Sequence, residues 1–382
     1  MGKPANKSSN SRKIKLVIAV TALNAIDSPG PGVAVIRAIR ECPDFDVRII
    51  GLSYEALEPG LYMHDLVDKT YQIPYPSAGT DSLLGRLMHI HNQEHLDLII
   101  PNFDAELYNF IKLEKKLLEK GIHTFLPELS AFESRDKIKL VEFGKKHGLS
   151  VPDDMQIYRA EELKEATEKL GFPIVIKGKF YDASIANTLE QAYKAFHKIQ
   201  AQWGLPIIAQ QFVKGSEINV AALGDGEGNT ISVIPMRKLY ITDKGKAWAG
   251  ITLDDNQFIE LAKKFIAATN WRGGCELEII QTAEGKSFIL EVNPRFPAWI
   301  YLTAAAGQNQ PAALVKMALG QKVAPFETYE VGKIFIRYAW DLITNISEFQ
   351  QISGTGELER PSKSISEIKD LQSIGLKKMN LN

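Results

Sequence analysis

The chain has 382 residues, 45% of them hydrophobic and 24% charged, and its 45 basic and 46 acidic residues leave a net charge of −1. That composition excludes a disordered, collagen-like or disulfide-dense chain, and the near-zero balance argues against nucleic acid as the main partner. The only two cysteines, Cys42 and Cys275, lie far apart and make no metal spacing, so a reducing compartment, the cytoplasm, is the simpler setting.

The length suits two or three domains. Lys3, Lys7, Arg12, Lys13 and Lys15 before the apolar run Leu16 to Ile26 imitate a signal peptide. That run contains Thr21 and Asn24, however, and leads into Ser28-Pro29-Gly30-Pro31-Gly32. A buried first parallel strand followed by a glycine turn explains it better. No stretch is apolar and long enough to span a bilayer, so no membrane is expected as a partner. Residues 1–12 are polar and expected to be disordered.

Short apolar runs then alternate with helix-like stretches. Leu16–Val20, Val47–Leu52 and Leu96–Pro101 read as strands; Gly32–Arg40, Asp81–His91 and Ala105–Lys120 read as helices. This alternation predicts an α/β domain over 13–126 with a parallel sheet. A second part, 127–210, carries helices at Arg135–His147, Ala160–Leu170 and Leu189–Gln200, and strands at Phe172–Lys177 and Ile207–Val213. A third, 211–340, is rich in strands, with helices at Asn256–Thr269 and within Tyr301–Leu319, and gives the whole chain a mixed α/β and α+β character. The remainder, 341–382, forms an extension in which Ser364-x-x-Glu367 is a capping box for a short peripheral or partner-docking helix.

The segment Glu276–Arg295 is the most informative. Two apolar-rich strands, Glu276–Ile280 and Phe288–Asn293, flank Glu284-Gly285. A two-residue hairpin turn there sets Glu278 opposite Glu291 and Glu276 opposite Asn293, all four on one face. Opposed carboxylates repel, so the pair asks for a counter-charge. A hard divalent cation shared with substrate phosphates supplies one, Asn293 adds an oxygen, and Arg295 can hold an anion bidentately. The alternative is a solvated hairpin face.

Lys177 ends an apolar strand, where an ammonium is costly unless it meets an anion. Lys137, in Arg135-Asp136-Lys137, is read as opening a helix, where anions bind well. Each alone could be a snorkelling surface residue; upstream of a two-carboxylate hairpin the pair fits a Mg-nucleotide site. In Gln210-Gln211-Phe212-Val213-Lys214-Gly215-Ser216-Glu217 a strand exit can offer backbone groups to an adenine edge and Glu217 to a ribose hydroxyl, or be an ordinary connection. Asp104 and Glu106 either face a cleft at a strand end or cap the next helix. His91 and His95 lack the Glu of a zinc helix motif and read as surface residues.

Together, SPGPGVAVIRAIR at Ser28, RDK at Arg135, FPIVIKG at Phe172, QQFVKGSE at Gln210 and, above all, EVNPRFPAW at Glu291 resemble the ATP-grasp superfamily, particularly its carbamoyl-phosphate-synthetase-like carboxylate–amine ligases. The resemblance implies an N-terminal pre-ATP-grasp α/β domain, a small lid and a larger C-terminal ATP-grasp domain. By that resemblance Lys137 and Lys177 contact ATP phosphates, Gln211, Phe212 and Val213 line the adenine, and Glu217 holds the ribose. Glu278, Glu291 and Asn293 bind two Mg2+ ions, with Mn2+ as a substitute. Arg295 meets the transferred phosphate, and Arg237 lies toward the acceptor. The implied reaction joins a small-molecule or peptide carboxylate to an amine through an acyl phosphate, releasing ADP and phosphate. Its rivals are a carboxyphosphate-forming, biotin carboxylase-like enzyme and a nucleotide-binding protein without turnover. A homodimer is the base-rate expectation. One departure stands out: Lys177-Gly178-Lys179-Phe180-Tyr181 has a single glycine where the family often carries a loop with several, so either the lid is short, with Lys179 and Tyr181 helping, or phosphate closure is impaired.

Overall fold

The computed structural model describes residues 13–179 and 182–359. In chain order, β1 (Ile14–Val20), α1 (Pro31–Arg40), β2 (Phe45–Ser53), β3 (Lys69–Gln72), α2 (Gly79–Glu94), β4 (Leu98–Ile100) and α3 (Asp104–Leu118) form a parallel α/β unit. The spatial order β3-β2-β1-β4 reverses direction at β1. Ligand crevices in open α/β sheets lie at such reversals, outside the carboxyl ends of the strands. Thr21 and Asn102 stand there, both buried.

Helices α4 (Leu129–Ser134) and α5 (Leu140–His147) follow. The expected helix from Arg135 is thus interrupted: Arg135 to Lys139 form a turn, with the Lys139 N–H bonded to the Asp136 carbonyl at 2.7 Å. The buried face of the second helix begins only at Leu140, so no packing holds the preceding charged residues helical. Lys137 therefore sits in a turn, not at a helix start.

A small antiparallel sheet comes next, in the order β5-β8-β6-β7. Its elements are β5 (Asp154–Ile157), α6 (Glu162–Leu170), β6 (Ile174–Gly178), β7 (Ala183–Ala186), α7 (Leu189–Trp203) and β8 (Ile207–Gln211). The two helices and the strands share a closed core around Ile174, Phe196 and Ile207. Ala131, Leu140 and Leu149 instead pack with the large sheet, while Leu129 and Phe132 pack with the N-terminal unit.

The large sheet is built from β9 (Ser216–Asp225), β10 (Thr230–Ile241), β11 (Ala247–Thr252), β12 (Arg272–Gln281), β13 (Ser287–Asn293) and β14 (Ile334–Ile336). Its spatial order is β13-β12-β9-β10-β11-β14. Helix α8 (Asn256–Thr269) covers one face, through Phe258, Phe265 and Ile266. The other face meets the N-terminal unit: Ala221, Leu223, Met236 and Phe296 share one apolar cluster with Ile18, Val35 and Ile36. Within 301–319 the chain forms α9 (Tyr301–Ala305) and α10 (Gln310–Ala318), separated at Gly307, whose φ is +96°.

The C-terminal stretch returns to the first sheet. After α11 (Ile346–Thr355), β15 (Glu357–Glu359) adds an antiparallel edge strand to β3. The capping box at Ser364 lies outside the described residues. Among the described residues, no helix is long and apolar enough to cross a membrane.

The glycine turn after β1 has a steric cause. A Cβ on Gly32 would stand 2.1 Å from the Thr21 carbonyl oxygen and 2.7 Å from that of Ala22. Only glycine lets α1 start this close to the strand exit. Gly32→Ala is expected to cost about 1–3 kcal/mol, as overpacking of a tight site does. Thermal unfolding would show it; an unchanged midpoint would refute the steric account.

Candidate active site

The site forms where the large sheet, the small sheet and the N-terminal strand ends converge. The hairpin of β12 and β13 supplies its floor. Glu278 pairs in register with Glu291, and Glu276 with Asn293. The route to that register differs from the expected two-residue turn. Thr282 and Lys286 close a three-residue loop, with Gly285 at φ +81°. A bulge at Leu290 then shifts the pairing by one, since Ile279 faces Ile289 while Glu278 faces Glu291. The two offsets cancel. The bulge also lets Ile289 and Val292 both enter the core while Glu291 and Asn293 face the cleft.

Glu276 is the buried centre of this face. It accepts from Asn219 Nδ2 at 2.6 Å, Trp299 Nε1 at 2.8 Å, Asn293 Nδ2 at 3.0 Å and Arg295 at 3.3 Å. Asn293 Nδ2 also donates to Glu278 at 3.0 Å. With its amide hydrogens on carboxylates, Asn293 has its oxygen available to a cation. Arg295 spans the cleft, its Nε donating to Asp104 at 3.0 Å. Burial weakens that guanidinium's hold on its proton, but Asp104 and Glu276 outweigh burial and raise its pKa. Asp104 thus faces the cleft, whereas Glu106 turns back to accept from the Asn102 and Phe103 N–H groups and caps α3.

Two lysines approach the carboxylates, Lys137 from the turn after α4 and Lys177 from β6 of the small sheet. Lys137 Nζ lies 3.2 Å from Glu291. Lys177, half-buried on β6, has its pKa lowered by desolvation and by Lys137, against the pull of Glu291 and Glu278. A cation held in this way is poised to gain from an incoming anion. The strand after Lys177 folds back at once: Lys177 pairs with Ala183, and the Gly178 N–H meets the Asp182 carbonyl at 3.0 Å. Lys179 is exposed, and Phe180 and Tyr181 lie outside the described residues.

Gln211 ends β8, and Phe212 and Val213 run half-buried from the lid to the large sheet. Glu217 follows on β9, exposed, and accepts from Lys238 Nζ at 2.7 Å. Lys238 was not singled out from sequence. Burial opposes its charge, yet Glu278, Glu217 and Glu276 hold its pKa above the usual lysine value. Arg237, the expected acceptor-side residue, is exposed and opposite Ile218, one position out of phase with the carboxylate face. Strand alternation therefore turns Lys238, not Arg237, toward the cleft. Pairing of Met236 with Asn219, and of Asn219 with Glu278, could have revealed this only once the sheet order was known.

Burial, then Glu276 and Glu291, push the Glu278 carboxyl up to about 7. Among the described residues no three His, Cys, Asp or Glu side chains converge as a self-sufficient metal site. Two carboxylates and an amide oxygen instead fit Mg2+ that completes its shell with substrate phosphates and water. The raised Glu278 pKa marks negative charge that such a cation would relieve.

Residues 134–298 match the family model of the ATP-grasp domain. The carbamoyl phosphate synthase large chain of Caldanaerobacter subterraneus subsp. tengcongensis is 25% identical over 238 residues, 56% of this chain and 21% of that one. The corresponding large chain of Clostridium botulinum (strain Alaska E43 / Type E3) is 22% identical over 342 residues, 82% of this chain and 30% of that one. This chain thus spans less than a third of the length of these relatives. Among solved structures, the biotin carboxylase–β,γ-ATP complex from Campylobacter jejuni shares the fold with a TM-score of 0.66 and 17% identity, covering 82% of this chain and 73% of that one. N5-carboxyaminoimidazole synthetase from Staphylococcus aureus gives 0.62 and 14%, covering 84% and 80%.

The Glu278 shift has a pH consequence. From the unperturbed glutamate value of 4.5 to about 7, the native state keeps a proton that the unfolded chain has released. Metal-free stability should therefore fall as pH rises through that window, and Mg-ADP should recover it above the window. Thermal midpoints across pH, with and without Mg-ADP, measure this. Glu278→Gln should flatten the slope; an identical slope in that variant would contradict the assignment.

Proposed function

We propose that the chain is an ATP-dependent carboxylate–amine ligase that works through an acyl phosphate and releases ADP and phosphate. The observation that carries this reading is the opposed Glu278–Glu291 pair with Lys137 and Lys177 over it and Arg295 at its acceptor end. In the proposed reaction Lys137 and Lys177 hold the triphosphate and orient the γ-phosphate. Phe212, Val213 and the backbone after Gln211 line the base, while Glu217, steadied by Lys238, faces the ribose. Glu278, Glu291 and Asn293 hold Mg2+, which supplies charge neutralisation at the phosphates when bound. Arg295, fixed by Asp104 and Glu276, stabilises charge on the transferred phosphoryl group as the acid's carboxylate attacks it. An amine then displaces phosphate from the acyl phosphate.

These steps need positioning and electrostatics and no nucleophilic side chain. Cys275 fits that account, since burial pushes its thiol pKa far up, away from thiolate reactivity. A second reading, carboxyphosphate formation from bicarbonate, draws on the biotin carboxylase among the structural neighbours.

ADP release from Mg-ATP, assayed across pools of acids and amines, separates the readings. ADP that requires both an acid and an amine supports the ligase; ADP driven by bicarbonate alone supports the second. Glu291→Gln should lower turnover by at least about 100-fold, the scale lost when transition-state charge stabilisation is removed. Lys177→Met should chiefly weaken nucleotide binding, and unchanged affinity by titration calorimetry would refute its assignment.

A further inference from the structure

Arg135 has no place in that account. It occupies the turn after α4, with its guanidinium 4.4 Å from the centre of the Phe132 ring. Its Nε is buried and has no hydrogen-bond partner. No ion pair joins Arg135 to any described residue, although Asp104, Asp136 and Glu291 lie within reach of its charge and Arg295 opposes it. Its guanidinium thus lies near Arg295 and Asp104, at the end of the cleft facing the N-terminal unit.

A guanidinium N–H withdrawn from water without a hydrogen bond, as the Arg135 Nε is, is costly. The Phe132 ring beneath it attracts the charge but satisfies none of its N–H donors. Arg295 has spent Nε on Asp104 and one terminal nitrogen on Glu276 and the Phe296 carbonyl. Two guanidiniums thus approach one end of the cleft with donors to spare. Planar guanidinium groups of this kind suit oxyanions held by paired hydrogen bonds.

We propose that Arg135 holds a second anionic oxygen group of the acid substrate, a carboxylate or a phosphate, beside the carboxylate that reacts near Arg295. The inference rests on the ligase reading and narrows its substrate class to acids bearing at least two negative groups. In that reading the triphosphate is already matched by Lys137 and Lys177 and the reacting group by Arg295. The anion at Arg135 is therefore additional. It also sets register: an acid anchored by its far end presents its reacting carboxylate at a fixed distance, so chain length as well as charge would be selected.

The test uses the full chain with Mg-ADP and three pools: monocarboxylic acids, dicarboxylic acids and phosphorylated carboxylic acids. Thermal stabilisation reports binding whether or not turnover occurs, and ADP release from Mg-ATP with an amine pool is read in parallel. One or both dianionic pools should stabilise the wild-type protein more than the monocarboxylate pool, and which of them does so distinguishes the two sources of the anion. Arg135→Gln should weaken that binding about 10- to 100-fold, the scale of one lost charge-assisted contact. Mg-ADP affinity should stay unchanged. Arg135→Lys, which keeps the charge but not the fork, should fall between. The ligand-free thermal midpoint of each variant controls for folding. Equal stabilisation by all pools, stabilisation by none, or dianion binding that survives Arg135→Gln would overturn the proposal. Dianion-selective binding without ADP release would leave the anion site standing and refute the ligase reading instead.

Discussion

A buried carboxylate with four donors around it organises the cleft. Glu276 draws Asn219 from the neighbouring strand, Asn293 from the hairpin partner, Trp299 from the following turn and Arg295 from beyond Pro294. Each of those donors needs an acceptor because each is largely removed from water. Satisfying them on one side chain fixes the orientation of the outward-facing atoms. Asn293 can then offer an oxygen beside Glu278, and Arg295 can reach Asp104 across the cleft. A polar network of this kind is favourable only when complete, so the site's geometry and the local stability of the sheet are the same problem.

The cleft has one wall with a core shared between two sheets and one that is built separately. The N-terminal parallel sheet and the large antiparallel sheet share a continuous apolar cluster running from Ile18 and Val35 to Ala221, Met236 and Phe296. The edge strand at 357–359 extends the first sheet further. The lid carries its own core around Ile176, Phe196 and Ile207, and the chain between Gln211 and Ser216 joins it to the large sheet. Gly215 packs against the Gln281 backbone, where a Cβ would stand 2.2 Å from its carbonyl oxygen, and this pins the connector to the end of β12. Lys177 thus projects from a self-contained unit toward carboxylates belonging to another. That division suits a site that must admit a nucleotide and then surround it.

Much of this was legible in the residues. The apolar runs of β1, β2 and β4 and the helix-like stretches between them are local signals, and they placed the parallel unit. The hairpin's alternation placed Glu278, Glu291 and Asn293 on one face, although the turn has three residues rather than two and the bulge at Leu290 restores the pairing. A bulge is set by which apolar side chains the core accepts, here Ile289 and Val292 together, and no local pattern announces it. The helix expected from Arg135 failed for a related reason: charged residues without a packed face do not stay helical merely because a helix follows.

The sequence by itself determined the inventory of the cleft: two opposed glutamates, their amide neighbour, the arginine after them and the lysine closing an apolar strand. Those assignments depend on periodicity and on what charge costs in an apolar strand, both readable one segment at a time. Only the tertiary structure decided which neighbours they meet. It turned Lys238 rather than Arg237 into the cleft, aimed Asp104 at Arg295 while Glu106 capped its helix, and left Arg135 over the Phe132 ring with its buried Nε lacking an acceptor. Those outcomes follow from sheet order and from contacts between segments far apart in the chain. The free energy that selects them is the burial of faces against one another, which no single segment encodes.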